Sequence, residues 1–112
     1  MTNPQLDEFG DLLLDTFDGR VEERPARWMP SGAKASLCLV FPSMHAQAEL
    51  YDFASWDDAQ QAALAIRATA PEDEILEVAT NGRVLLVVDA PSDDPERQYA
   101  VYDLLSRFAG EE

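Results

Sequence analysis

The chain has 112 residues, of which 22 are acidic and eight are basic, so its formal net charge at pH 7 is −14. A field of that sign repels nucleic-acid phosphate and anionic lipid, and it attracts basic protein surfaces and multivalent cations. The chain is 46% hydrophobic, with two Trp, three Tyr and five Phe, which is too apolar for a disordered acidic tail. We therefore expect one folded domain, residues 1–112, with a protein partner and no nucleic-acid partner.

The N-terminal segment predicts an α-helix over residues 4–18. Asn3 followed by Pro4 is typical of an N-cap and a first helical residue, and apolar residues then recur at helical spacing until Gly19. The segment lacks the basic and apolar regions of a signal peptide, and no stretch approaches the ~20 apolar residues of a membrane span. The sequence thus predicts a cytoplasmic protein with no membrane partner.

Residues 19–33 lose this periodicity and contain two prolines, which predicts a connecting loop with one short extended piece. Trp28 and Arg27 lie in this loop, in the one region of positive character. Both residue types are enriched at the binding hot spots of protein interfaces, so both are candidates for partner binding. The alternative for Trp28 is packing over an open face of the sheet.

Two β-β-α units follow the loop. The first, residues 35–70, has β-prone runs at 35–41 and 49–54 and then a helix that begins after Ser55 and ends before Pro71. A turn connects the two runs. The helix has a narrow alanine face, which would let it lie close against a sheet.

The second β-β-α unit, residues 74–109, contains the strongest local signal. Asn81–Gly82 between two β-prone runs is the preferred type I′ hairpin turn, and with these two residues as the loop Thr80 pairs with Arg83. Both faces of this hairpin are apolar apart from Glu77. Both faces therefore need cover, by helices of this chain or by a second copy.

The order of elements, α-ββα-ββα, predicts an α+β domain. Two hairpins can join into one four-stranded antiparallel sheet with both crossover helices on one face. The N-terminal helix is then expected on or near the other face. The loop at 19–33 or a second copy of the chain could complete the cover.

Paired carboxylates occur at two predicted helix starts, Asp57–Asp58 and Asp93–Asp94. Acids at a helix N-terminus accept hydrogen bonds from free N–H groups and interact favourably with the helix dipole. We interpret Ser55 as the N-cap of the first of these helices, with Asp58 at N3 as the acid of a capping box, and both Asp58 and Asp94 as structural capping residues. Neither place has the central glycine and terminal glutamate of an EF-hand loop, so no metal site is predicted.

Nucleophilic and zinc chemistry have little support. Cys38 is the one cysteine and lies in an apolar run, which indicates a buried, inert thiol. His45 is the one histidine and lies in a turn, so one chain cannot assemble a zinc site or an HExxH motif from Cys and His. The five glycines are too scattered for a phosphate-binding loop. We predict no catalytic residue and no cofactor.

An acidic run, Glu72, Asp73 and Glu74, precedes the second hairpin, with Glu77 close behind it. Such an array could present a phosphate-like surface to a basic protein, as DNA mimics and nuclease inhibitors do. A solvated corner between helix and strand explains the run as simply. These four acids complete the candidate partner-binding set begun by Arg27 and Trp28.

Three functions from different classes remain open. The first is a non-enzymatic interaction module of inhibitor, immunity or anti-regulator type that engages a basic partner. The second is a homo-oligomeric, ligand-binding module that uses an open apolar sheet face, for which a homodimer is the simplest form. The third is an enzyme that uses carboxylates, alone or with a divalent metal, and the scarcity of His, Cys and Lys disfavours it.

Overall fold

The computed structural model describes residues 4–23, 25–28, 30–69, 74–91 and 95–110. They form an α+β fold with helices and antiparallel strands in one compact unit. In chain order the elements are α1 (Pro4–Thr16), β1 (Arg20–Val21), β2 (Ala35–Phe41), β3 (Ala46–Asp52), α2 (Trp56–Arg67), β4 (Glu74–Asn81), β5 (Val84–Pro91) and α3 (Pro95–Ala109).

The sheet has five strands in the order β1-β2-β3-β5-β4, so the predicted four-stranded sheet is wrong by one strand. The additional strand is the short extended piece expected in the 19–33 loop, where Arg20 pairs with Val40. Gly19 permits this entry into the sheet, because a Cβ there would lie 2.5 Å from the carbonyl oxygen of Val40. The two hairpins join within one chain through β3 and β5, with Leu50 opposite Leu86.

The predicted placement of both crossover helices on one face is also wrong. α3 shares its face with α1, and the rings of Phe9 and Phe108 lie 4.9 Å apart there. α2 packs on the opposite face. The physical reason is the doubly apolar hairpin β4–β5, because each of its faces needs apolar cover and each receives one of the two helices α2 and α3.

Strand alternation divides the sheet residues between these two faces. We call the face under α1 and α3 the α1/α3 face, and its buried strand residues are Leu39, Phe41, Ala46, Ala48, Leu50, Asp52, Val84, Leu86, Val88 and Ala90. We call the other the α2 face, and its buried strand residues are Cys38, Glu49, Tyr51, Leu76, Leu85, Val87 and Asp89. Both faces are covered within one chain, so the open sheet face expected for a second copy is filled.

The hairpin register differs from the predicted one. Asn81 pairs with Val84, so the loop residues are Gly82 and Arg83, where the sequence predicted Asn81–Gly82. Gly82 alone of the two has a positive φ, +59°, as glycine does at the first position of a type II′ turn. Tertiary contacts select this register, because the Asn81 amide donates to the carbonyl of Phe108 at 2.9 Å.

The assignment of residues to hairpin faces survives this change. Each β4 residue pairs two positions further along β5 than predicted, and the side-chain period of a strand is two. Val78 therefore still shares a face with Leu85 and Val87.

The helix boundaries follow local signals. Ser55 is the N-cap of α2, and its Oγ accepts a hydrogen bond from the Asp58 N–H at 3.2 Å. α3 begins at Pro95 and stops before Gly110, which has a φ of +81°. α1 ends at Thr16, two residues earlier than predicted. Among the described residues, none of the helices has the length and apolar character needed to cross a membrane.

Candidate functional site

A buried carboxylate organises the α2 face. Glu49 lies in the central part of the sheet and is 1% exposed. Its Oε2 accepts the Arg27 N–H at 2.9 Å, and its Oε1 accepts the Trp28 N–H at 3.2 Å. The Tyr51 hydroxyl donates to the same Oε1. Burying a carboxylate is costly unless it is hydrogen-bonded, so these donors are what makes Glu49 tolerable there, and they hold the loop over the sheet.

Three residues of the predicted partner-binding set meet at one corner of the sheet. The Arg27 guanidinium lies 2.8 Å from Asp89 Oδ2 and 3.5 Å from Glu74 Oε2. The same guanidinium lies 4.7 Å from the centre of the Trp28 ring, in cation–π geometry. The positive charge of Arg27 is thus neutralised by acids of β4 and β5, and Trp28 packs partly buried against the α2 face.

The other predicted residues are placed differently. Glu77 lies in the middle of β4, and its Oε2 is 3.6 Å from Arg67 Nη2 of α2. Glu72 and Asp73 lie outside the described residues, as does Asp94. Asp58 is exposed and contributes its backbone N–H to the cap. Ser55 therefore supplies the capping side chain, as predicted, with Asp58 at the N3 position.

The remaining titratable candidates lie where the sequence suggested. Cys38 is buried in β2, directly across the ladder from Glu49. His45 is exposed in the turn after β2, with a φ of +52°. Among the described residues, no group of three or more His, Cys, Asp or Glu side chains is arranged to hold a metal ion.

Sequence reasoning missed the acids that matter most to the fold. The structure buries Glu49, Asp52 and Asp89, which are 1%, 3% and 9% exposed. Asp52 lies 3.1 Å from the Arg83 guanidinium, which anchors the hairpin loop. A signal was available, because each of the three is an acid at the end of or inside a run that is otherwise β-prone. Their cationic and backbone partners are distant in sequence and could not be read from it.

A cleft opens between α2 and the loop that contains Trp28. Its volume is about 790 Å³, within the range of small-molecule sites. Its wall is partly apolar, and Asp58 and Gln61 bring polar groups to it. The Trp28 indole N–H is buried and has no hydrogen-bond acceptor among the described residues. The lining residues are Trp28, Pro30, Ser31, Gly32, Asp58, Gln61, Ala62, Ala65, Ile66 and Thr69.

The outer edge of β4 is the second open feature. β4 is the last strand of the sheet and spans eight residues, whereas the opposite edge strand, β1, spans two. A shallow groove of about 180 Å³ runs between this edge and α2. The groove contains Leu64, which is 68% exposed.

Charge is distributed unevenly between the sheet and the helices. The guanidinium groups of Arg27, Arg67 and Arg83 each lie within ion-pair distance of sheet carboxylates. The described structure places no cation within ion-pair distance of the exposed helix acids Glu8, Asp11, Asp15, Asp57, Asp58 and Asp103. These six acids therefore give the helices of the described chain an outer surface with uncompensated negative charge.

No family model, curated protein or solved structure matches this chain.

Proposed function

We propose that this protein is a non-enzymatic acidic interaction module, of inhibitor, immunity or anti-regulator type, that engages a basic surface of another protein. The observation that carries the proposal is the separation of charge. Arg27, Arg67 and Arg83 are engaged by carboxylates of the sheet, and six exposed helix acids of the described chain face solvent without a cationic partner. A net charge of −14 then acts outward, where it steers basic partners into contact.

The arrangement of like charges on α1 supports this interpretation. Asp7, Asp11 and Asp15 follow one another at i, i+4 spacing, and the helix has no basic residue in its last turn. Like charges at this spacing destabilise a helix, and an acid near the C-terminus opposes the helix dipole. Stability alone does not favour such a pattern, whereas attraction of a basic partner does.

The test is capture of proteins from a cell extract on the immobilised chain at two salt concentrations. Basic proteins should be retained at about 0.1 M salt and released at about 1 M, because the Debye length falls from about 10 Å to about 3 Å. Duplex DNA should not bind at either concentration. Retention that is equal at both salt concentrations, or measurable binding of DNA, would contradict the proposal.

A charge variant identifies the source of the attraction. Replacement of four exposed helix acids, Asp11→Asn, Asp15→Asn, Asp57→Asn and Asp103→Asn, should slow association with a captured basic protein several-fold. The matched control replaces four exposed uncharged residues, Ser31→Ala, Ser36→Ala, Gln47→Ala and Gln61→Ala, and retains the full charge. Equal association rates for the two variants would show that the acids do not steer binding.

The cleft beside Trp28 favours a second candidate function, small-molecule binding. Its volume and its mixture of an aromatic wall with a few polar groups are typical of ligand sites. This location replaces the open sheet face on which the ligand-binding alternative depended. Because Asp58 lies at the cleft, an organic cation with an aromatic or aliphatic body is the class of ligand that fits.

Trp28 can report on this cleft directly. Trp56→Phe removes the other tryptophan, and binding of a ligand should then change the Trp28 emission in a saturable way. A library of aromatic amines is the suitable probe. The control is the same screen with Ala62→Phe, which fills the cleft. A screen in which no amine distinguishes the two proteins would argue against this second function.

A further inference from the structure

We propose that the outer edge of β4 docks an extended, basic segment of the partner protein, which adds a sixth strand to the sheet. This inference rests on the proposed function and specifies where and how the basic partner binds. Addition of a strand to an exposed sheet edge is a recurring mode of peptide recognition. Main-chain hydrogen bonds supply affinity in this mode, and alternate side chains supply specificity.

The hairpin register determines which backbone groups are available. A two-residue loop places its flanking pair, Asn81 and Val84, in hydrogen-bonded register, and hydrogen-bonded pairs then alternate along the ladder. The backbone groups of Leu76, Val78 and Thr80 consequently point away from β5. Within the described chain, no backbone group from another element hydrogen-bonds to these three residues. They form an open ladder several residues long.

The two edges of the sheet differ in how they are protected. β1 is too short, at two residues, to template much pairing. β4 has eight residues without proline or lysine, and its protection is limited to the charge of Glu77 and its ion pair with Arg67. A long edge with so little protection risks aggregation unless a partner uses it.

The side chains around β4 indicate the chemistry of the occupant. On the side of α2, the exposed Leu64 offers an apolar contact. By strand alternation, Glu77 belongs to the opposite side. Successive side chains of an incoming strand therefore face Leu64 and Glu77 in turn. A strand in which aliphatic residues alternate with Lys or Arg is complementary to these two contacts.

The Arg67–Glu77 ion pair passes around this same edge. Arg67 comes from α2, which packs on the face opposite to that of Glu77, so their contact at 3.6 Å must go around β4. The pair is solvent-exposed on the arginine side and is correspondingly weak. A lysine or arginine of the incoming strand can replace Arg67 as the partner of Glu77 and so open the edge.

A second copy of the chain is a poorer occupant than a basic strand. Each copy has a net charge of −14, so two copies repel each other. Antiparallel pairing of β4 with itself would also bring the Glu77 side chains of the two copies towards each other. Opposite charge is available from a basic partner and not from this chain.

The test uses a peptide of about ten residues that alternates lysine with valine, at low salt, with the full chain. Binding should slow amide hydrogen exchange at Leu76, Val78 and Thr80. Thr80→Pro should weaken it by about tenfold or more, because Pro removes an outward N–H and leaves the ladder to β5 intact. Thr80→Val is the matched control, because it also loses the hydrogen bond from Gln60 but retains the N–H.

Two further variants keep the test valid if Thr80→Pro misfolds, because both change exposed side chains outside β4. Leu64→Gln should lower the affinity for the peptide several-fold. Val21→Gln, a similar change on the strand at the opposite edge, should leave the affinity unchanged. A peptide that binds wild type and Thr80→Pro equally overturns the edge site and leaves the proposed function standing. If the peptide fails to bind while basic proteins are still captured, the edge site is likewise overturned and the proposed function stands. Concentration-dependent protection of Leu76, Val78 and Thr80 without peptide would assign the edge to a second copy and also overturn the proposal.

Discussion

The two faces of the sheet are held by different physical forces. The α1/α3 face is an aliphatic and aromatic layer whose one buried charged strand residue among the described residues is Asp52, at the end of β3, where it lies beside Arg83. On the α2 face, α2 packs through alanines, and the loop before β2 adds Ala26, Trp28 and Ala33. Where the loop before β2 covers it, the centre of the contact is the Glu49 carboxylate.

The two faces differ in how strictly they fix the conformation of the segments that pack on them. Apolar burial is non-directional, so many side-chain arrangements can satisfy the α1/α3 face at similar free energy. Hydrogen bonds to a buried carboxylate are directional, and an unsatisfied donor is costly. The conformation of the loop at Arg27 and Trp28 therefore depends on one side chain, whereas the packing of α1 and α3 depends on many.

The largest expected effect is on the apolar face. Leu86→Ala should lower the free energy of unfolding by about 2–5 kcal/mol, because it removes fully buried methyl groups and leaves a cavity under α1 and α3. In a Trp56→Phe background, chemical denaturation monitored by Trp28 fluorescence gives both the unfolding midpoint and the emission of native Trp28. The unfolding midpoint should fall while the emission of native Trp28 stays unchanged. An unchanged midpoint would mean that this face is not the core.

On the α2 face, Glu49→Gln should change both the stability and the emission of native Trp28, whereas Leu86→Ala should change the stability alone. Its amide NH₂ would confront a backbone N–H of Arg27 or Trp28, which leaves at least one buried donor unsatisfied at about 1–3 kcal/mol. The emission of native Trp28 should shift to longer wavelength as the loop loosens. Loss of stability without any change in Trp28 emission would show that Glu49 does not position the loop.

The start of α2 offers a smaller and more local test. Ser55→Ala removes the capping oxygen and should cost about 0.5–2 kcal/mol, whereas Asp58→Ala should cost less because its side chain is exposed. Thermal unfolding of the two variants decides between them. A larger loss for Asp58→Ala would mean that this acid stabilises the start of the helix more than the Ser55 hydroxyl does. Calorimetric titration with Ca²⁺, Mg²⁺ and Mn²⁺ checks the same residue for a metal role, and a stoichiometric site abolished by Asp58→Ala would contradict the capping assignment.

The smallest effect is a gain. Asp11→Asn relieves like-charge contacts with Asp7 and Asp15 on α1 and should raise stability by about 0.2–0.5 kcal/mol per relieved pair. The gain should shrink at high salt, since the charges are exposed and screened. Gln5→Ala on the same helix is an uncharged control that breaks its contact with Arg83. A loss of stability in Asp11→Asn at low salt would mean that α1 acids have stabilising partners.

Most local elements were predictable from residue patterns. The strand at Ala35–Phe41 has the predicted bounds, and α2 begins after Ser55 as expected. β3 begins at Ala46, three residues before the predicted strand, because ladder pairing with β2 extends to Phe41. The candidate site was only partly predictable, since Arg27, Trp28 and Glu74 do meet but their partners Glu49 and Asp89 were not foreseen.

Hydrophobic periodicity and capping residues by themselves determined the order of elements, the doubly apolar hairpin and the face of each of its residues, because these depend on neighbours within a few positions. Tertiary structure alone decided the hairpin register, the fifth strand and the division of helices between the two faces. It also decided which acids are buried. Those outcomes depend on pairing energies between distant segments, such as Arg83 with Asp52 and the loop backbone with Glu49, and no local pattern encodes them.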